Sequence, residues 1–287
     1  MCGRQELLSD LIRLFDDTDD TVAQCVDSKL LSMGRSVVGE LAGIAAREDD
    51  GRTGRLILEK MERINREFRF EDLARLSAEA SGPGFSLYEP AFVISSIFDA
   101  GLSRDTFQGM YFSCASMLPE EISQDRTAIE NMEIFNHHFF RTLGFRISDD
   151  GFSDPDAALL PEVMKKRTGN PFTVALLWFM LAEDAHLPLY PVCFRGGFVP
   201  TYLENGRELF YINMNDNGSL LSEADLAGIS NSENRTLQIH NRSVIPGIWA
   251  ESLSEVFSRC GSAHRKLLAE RAVSVWSGER FLQTGAI

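Results

Sequence analysis

No apolar run in this 287-residue chain approaches the ~20 residues that a membrane-spanning helix needs, and its first residues are acidic and helical in pattern rather than signal-like. Basic residues are also scarce: 28 Lys and Arg stand against 42 Asp and Glu, a formal charge of −14 that repels nucleic-acid phosphates and anionic membrane surfaces alike. Neither nucleic acid nor membrane is therefore an expected partner, and the cytoplasm is the expected compartment. Cysteine is sparse as well. Cys2, Cys25, Cys114, Cys193 and Cys260 are scattered, odd in number and without a CxxC pair, which points to neither a disulfide framework nor a zinc site and predicts buried or partly buried free thiols. Gly-x-x-Gly pieces occur without the strand, lysine and helix context of a nucleotide site, so no cofactor is expected.

What the chain does have is helical periodicity. Leu7, Leu8, Leu11, Ile12, Leu14 and Phe15 recur at helical spacing, an aspartate-rich interruption follows, and Val22, Cys25, Val26, Leu30 and Leu31 begin a second helix closed by Gly34. Val37, Val38, Leu41 and Ile44 mark a third helix, and Leu56, Ile57, Met61, Ile64 and Phe68 a fourth. The phrase Leu14-Phe15-Asp16-Asp17-Thr18-Asp19-Asp20-Thr21-Val22 resembles the turn inside a HEAT-type repeat, in which aspartate caps the second helix and the valine enters the core. One or two degenerate units can be counted, and an ordinary helical bundle is the alternative, because a solenoid usually needs at least three repeats.

Ser81-Gly82-Pro83-Gly84 breaks the helical blocks. Helices are predicted around Phe92 to Phe98, from Thr106 to Leu118, and over a long stretch from about Glu120 to Leu143 whose Ile129, Met132, Phe135, Phe139 and Leu143 share one face. His137 and His138 stand beside that stripe. Adjacent helical residues point about 100° apart, so the two imidazoles do not converge on a metal and take packing or capping roles.

Asp149-Asp150-Gly151 opens a last region, in which Asp154-Pro155-Asp156 caps a short helix running to about Lys166 and Thr168-Gly169-Asn170 forms a turn. Pro171 sits where a helix favours its first residue, and Phe172 to Ala185 is apolar nearly all round, so this helix is predicted to be central. Leu187-Pro188 stops it. Two extended runs follow, Tyr190 to Tyr202 and Glu208 to Asn213, joined by the hairpin signal Asn205-Gly206. Met214 to Ser219 reads as a polar turn, and Asp216 within it lacks the distal glutamate of a calcium loop. Ser222 to Leu226 reads as a short capped helix, Arg235 to Ile239 as a strand or loop, and Ser243 to Trp276 as one or two amphipathic helices. The fold class expected is α+β and predominantly helical, divided into helical hairpins over 1–80, a helical region over 81–147, and a domain with a small antiparallel sheet and C-terminal helices over 148–287.

Gly169-Asn170-Pro171, a helix ending in Leu187-Pro188, Gly196-Gly197-Phe198 on a strand and then Tyr211-Ile212-Asn213 together resemble the transglutaminase-like domain of the bacterial SirB family. The likeness extends upstream through Asn136-His137, Leu143-Gly144-Phe145 and Asp154-Pro155. Laid without gaps on the wider transglutaminase pattern, Gly169 and Ala175 match the residues around the catalytic cysteine. That register puts Pro171 at the nucleophile position, Gly197 at the histidine position and Asn213 at the aspartate position. All three reagents of a Cys/His/Asp site are then missing, since such a site needs a thiol of depressed pKa, an imidazole and an orienting group.

The resemblance thus implies a non-catalytic binding or regulatory module, with a protein as a possible partner. The alternative is a cysteine- or hydroxyl-dependent hydrolase or acyltransferase with a displaced site, for which Cys193, Thr173, His186 and His240 are the candidate groups. If the cleft persists without chemistry, Thr173, Arg195, Asn213 and Asn215 are its candidate ligand-binding residues, and the amides of Phe172 and Thr173 a weak anion site.

Overall fold

The computed structural model describes residues 2–48, 50–82, 84–194, 196–226 and 238–276. These divide into two compact units, one ending at Asp72 and one beginning at Leu73. The division falls inside a single helix, where the composition offers no break, and residues 81–147 belong to the second unit instead of forming a region of their own.

The first unit is built from α1 (Cys2–Ile12), α2 (Asp20–Ser32), α3 (Ser36–Ala45) and the part of α4 (Gly51–Glu79) that reaches Asp72. Asp19 caps α2 by accepting from the Thr21 N–H at 2.7 Å, which holds its carboxyl below the usual range. Leu8, Leu11, Val26, Leu30, Val37, Leu41, Ile57, Ile64 and Phe68 make one core. The four helices amount to two pairs, fewer than a free-standing solenoid requires. Asp27 is buried on α2 and is neutralised by Lys60 at 2.7 Å and Arg63 at 2.9 Å, both from α4.

In the second unit α5 (Tyr88–Phe98), α6 (Arg104–Ala115) and α7 (Ala128–His137) precede the central helix. The long helix expected from Glu120 starts only at Ala128, because Thr127 and Glu130 form a capping box that fixes a new N-terminus. Ile129 is consequently 49% exposed in the first turn, while Met132, Phe135, Phe139 and Leu143 are buried as the periodicity predicts. A π-helical turn, His138–Thr142, ends this segment.

Two short strands, β1 (Arg146–Ile147) and β2 (Thr168–Gly169), pair in parallel on either side of α8 (Leu160–Lys166). The turn expected at Thr168-Gly169 is therefore a strand. Gly169 is required there, since a Cβ would stand 2.5 Å from Val163 Cγ2 and 3.1 Å from Ala157 O. The central helix α9 (Pro171–Asp184) follows at once, with Asn170 as N-cap and Pro171 at its start. Residues Thr173 to Ala182 are buried on every face, packed against α6, α8, β3 (Leu189–Phe194) and α10 (Ile245–Arg259).

The antiparallel sheet has the order β6-β5-β4-β3-β7, where β4 is Gly197–Glu204, β5 Arg207–Asn213, β6 Ser219–Leu221 and β7 Gln238–Ile239. The run expected as one strand from Tyr190 to Tyr202 is two, because the chain reverses so that Phe194 pairs with Gly197, with Gly196 at φ 100° in the turn. Asn205 and Gly206, at φ 50° and 77°, make the predicted two-residue hairpin turn. Ser219 begins β6 and does not close a polar turn. The C-terminal pair is α10 and α11 (Ala263–Trp276). Among the described cysteines Cys114 and Cys193 are buried but Cys25 and Cys260 are exposed, a correction to the expectation that all are covered; none is in a disulfide.

Candidate functional site

The first turn of α9, the start of β4 and the end of β5 enclose a cavity of about 270 Å³. Pro171, Gly197 and Asn213, though far apart in sequence, all line it, as does Asn215. The approach of α9 to β4 is close: a Cβ on Gly197 would lie 3.8 Å from Phe172 Cε1 and 3.7 Å from Phe194 Cζ. Those are ordinary contact distances, and Gly197 is not at positive φ, so neither backbone nor packing demands a glycine there.

Aromatic rings take the place of reactive groups. Phe172 tilts against Phe198 with centroids 6.1 Å apart, and Phe198 meets Phe179 of the same helix at 5.9 Å. Ala175, Val199, Ile212, Met214 and Leu221 complete an apolar wall. Among the described lining residues there is no Cys, His, Asp, Glu, Lys or Arg. The polar contribution is that of two amides. Asn213 Oδ1 accepts from the Asn215 N–H at 3.1 Å and so shapes the turn at the cavity edge.

Of the other candidates, Thr173 does not line the cavity. It is fully buried, and its hydroxyl lies 3.0 Å from both Ala158 O and Asn170 Oδ1 and accepts from Trp249 Nε1 at 3.2 Å. Its N–H is also taken, donating to Asn170 Oδ1 at 2.8 Å, so the anion site expected at the Phe172 and Thr173 amides is half consumed by the N-cap. An Asn followed by Pro at a helix start carries that capping signal in the sequence. Arg195 lies outside the described residues.

The alternative chemistry is dispersed. Cys193 is buried near the end of β3, paired with Phe198 and Gln238 on the neighbouring strands, and does not line the cavity. His186 is exposed beyond the C-terminal end of α9, at φ 55°. His240 donates its backbone N–H to Pro191 O beside β3. No group of three or more His, Cys, Asp or Glu able to hold a metal exists among the described residues. Burial first, and His137 second, holds the His138 imidazole below its ordinary pKa.

Local pattern does not reveal the role of Asn136. This buried amide accepts from Trp178 Nε1 at 3.0 Å and donates to Gly218 O at 2.8 Å, tying α7 to α9 and to the turn after Asn213. Gly218, at φ 80°, lets the turn approach, for a Cβ there would come within 2.5 Å of the Asn136 side chain.

Residues 108–245 match the model of the transglutaminase-like superfamily. Two UPF0162 proteins of Xylella fastidiosa, from strains Temecula1 and 9a5c, are each 26% identical over 98 residues, which is 34% of this chain. The chain covers 35% of the length of these curated relatives. No solved structure matches significantly. Residues 108–245, which contain α9, the cavity and most of the sheet, are a transglutaminase-like superfamily domain.

Proposed function

We propose that the chain is a SirB-type transglutaminase-like protein that binds a partner or ligand without transforming it, acting as a non-catalytic regulatory module in the cytoplasm. One observation carries this reading: the cavity at the start of α9 is lined by Pro171, Gly197 and Asn213, the positions that the resemblance assigns to nucleophile, base and orienting group. A proline offers no nucleophile and a glycine no base. Fold likeness by itself carries no chemistry. The absence of a membrane-crossing helix among the described residues and the charge of −14 fit this role.

The test is a glutamine–amine crosslinking assay and a peptide-cleavage assay on the pure full chain. Neither should exceed the uncatalysed background, and Cys193→Ala should change nothing. Turnover that Cys193→Ala abolishes would replace this reading with that of a displaced thiol enzyme.

A further inference from the structure

We infer that the cavity at the start of α9 is a binding site for one small uncharged aromatic ring system; this rests on the reading of the cavity as a non-catalytic binding site. Size comes first. At about 270 Å³ the space exceeds the roughly 150 Å³ of an apolar protein cavity that stays dry and admits benzene, and it falls at the lower edge of ordinary ligand pockets. It therefore suits one fused ring and not an extended peptide.

The walls specify chemistry. Phe172 and Phe198 are inclined at 55°, so the space beside them meets both ring faces and ring edges, the geometry in which aromatic groups attract. Met214 adds a polarisable sulfur beside them. Among the described lining side chains none carries a charge, and Asn213 and Asn215 can pair with a ring N–H or hydroxyl. The absence of a side chain at Gly197 leaves the space open: its Cβ direction runs toward Phe172 and Phe194 at contact distance, and no backbone constraint keeps the position glycine.

The experiment is isothermal titration calorimetry of the full chain with indole, indole-3-acetate, tryptamine and N-acetyltryptophanamide. Indole should bind once, with a dissociation constant on the order of 10⁻⁴ M. The acetate and the amine should each bind at least about tenfold more weakly. Tryptamine is the strict arm, because a net charge of −14 attracts it at long range. N-acetyltryptophanamide distinguishes sources of the same chemistry: binding as tight as indole assigns the ring to a partner's side chain, and weaker binding assigns it to a free compound. Gly197→Leu should abolish indole binding while preserving the far-ultraviolet circular dichroism; should it fail to fold, Leu221→Phe fills the same space from the partly exposed rim. Absence of indole binding, preference for either charged analogue, or unchanged binding in a folded cavity-filling variant overturns the inference. Crosslinking activity sinks the non-catalytic reading, whereas an inert protein that ignores indole sinks only the ligand class.

Discussion

At its C-terminal end α9 presents Glu183 and Asp184 to charged and polar partners, while its N-terminal end opens on a cavity whose described lining carries no charge. Glu183 Oε2 accepts from the Leu87 N–H at 3.0 Å and so supports the start of α5; its Oε1 meets Arg242 at 3.4 Å, an ion pair without a good hydrogen bond. Tyr111 donates its hydroxyl to Asp184 at 2.8 Å, and burial raises the Tyr111 and Glu183 pKa values. Ionisable groups with shifted pKa values cluster at functional sites, and structural networks shift them too. Here they stand at the end of the helix away from the cavity, and what they do is join α9 to α5, α6 and the segment before α10. Perturbation at this end of α9 accompanies contacts between elements, and the described lining at the other end carries no ionisable side chain.

The largest expected effect comes from breaking the charged end. Glu183→Ala should cost about 3 kcal/mol in urea denaturation, because it strands the Leu87 N–H and the partly buried Arg242. A cost under about 0.5 kcal/mol would mean that this end is no more structural than the other. A smaller effect concerns pH. Because burial lifts the Glu183 carboxyl above its ordinary value of 4.5, the folded chain takes up this proton before the unfolded chain does. This group therefore adds stability as pH falls from its raised folded value toward 4.5, and withholds it at neutral pH. Glu183→Gln should remove that increment, so the change in unfolding free energy between pH 7 and pH 5 should be less favourable to the acid side in the variant; identical changes would locate the proton elsewhere.

The two ends also differed in legibility. Pro171 at a helix start and the apolar run from Phe172 to Ala185 make α9 and its centrality readable, and Asn205-Gly206 makes one hairpin readable, since each rests on local backbone rules. The resemblance placed Pro171, Gly197 and Asn213 in register, and the structure gathers all three at one cavity. The remaining features depend on long-range contact or on a short signal inside a longer pattern. The second hairpin is hidden in a run of strand formers, with Gly196-Gly197 to mark it, and Thr127-Ala128-Ile129-Glu130 is a capping box inside a stretch of continuous helical periodicity. Phe172 and Phe198 look like core in any local pattern, and Asn136 acquires its role only through Trp178 and Gly218, 42 and 82 positions away. Thr173 is buried and not in the cavity because a residue near a helix N-terminus is exposed or buried according to what packs on it, and here Trp249 does.

On the function proposed above, the cavity keeps the geometry of a thiol site while its reagents are gone. The direct measurement is the pH dependence of alkylation of the thiol introduced by Pro171→Cys, with and without Gly197→His, in a background where Cys2, Cys25 and Cys260 are serine. If the positions are in register, adding the imidazole should lower the apparent thiol pKa below its ordinary ~8.5 and speed alkylation at pH 7 about tenfold, without conferring turnover, because nucleophile, base and orienting group act as a unit. Equal rates with and without Gly197→His would contradict it.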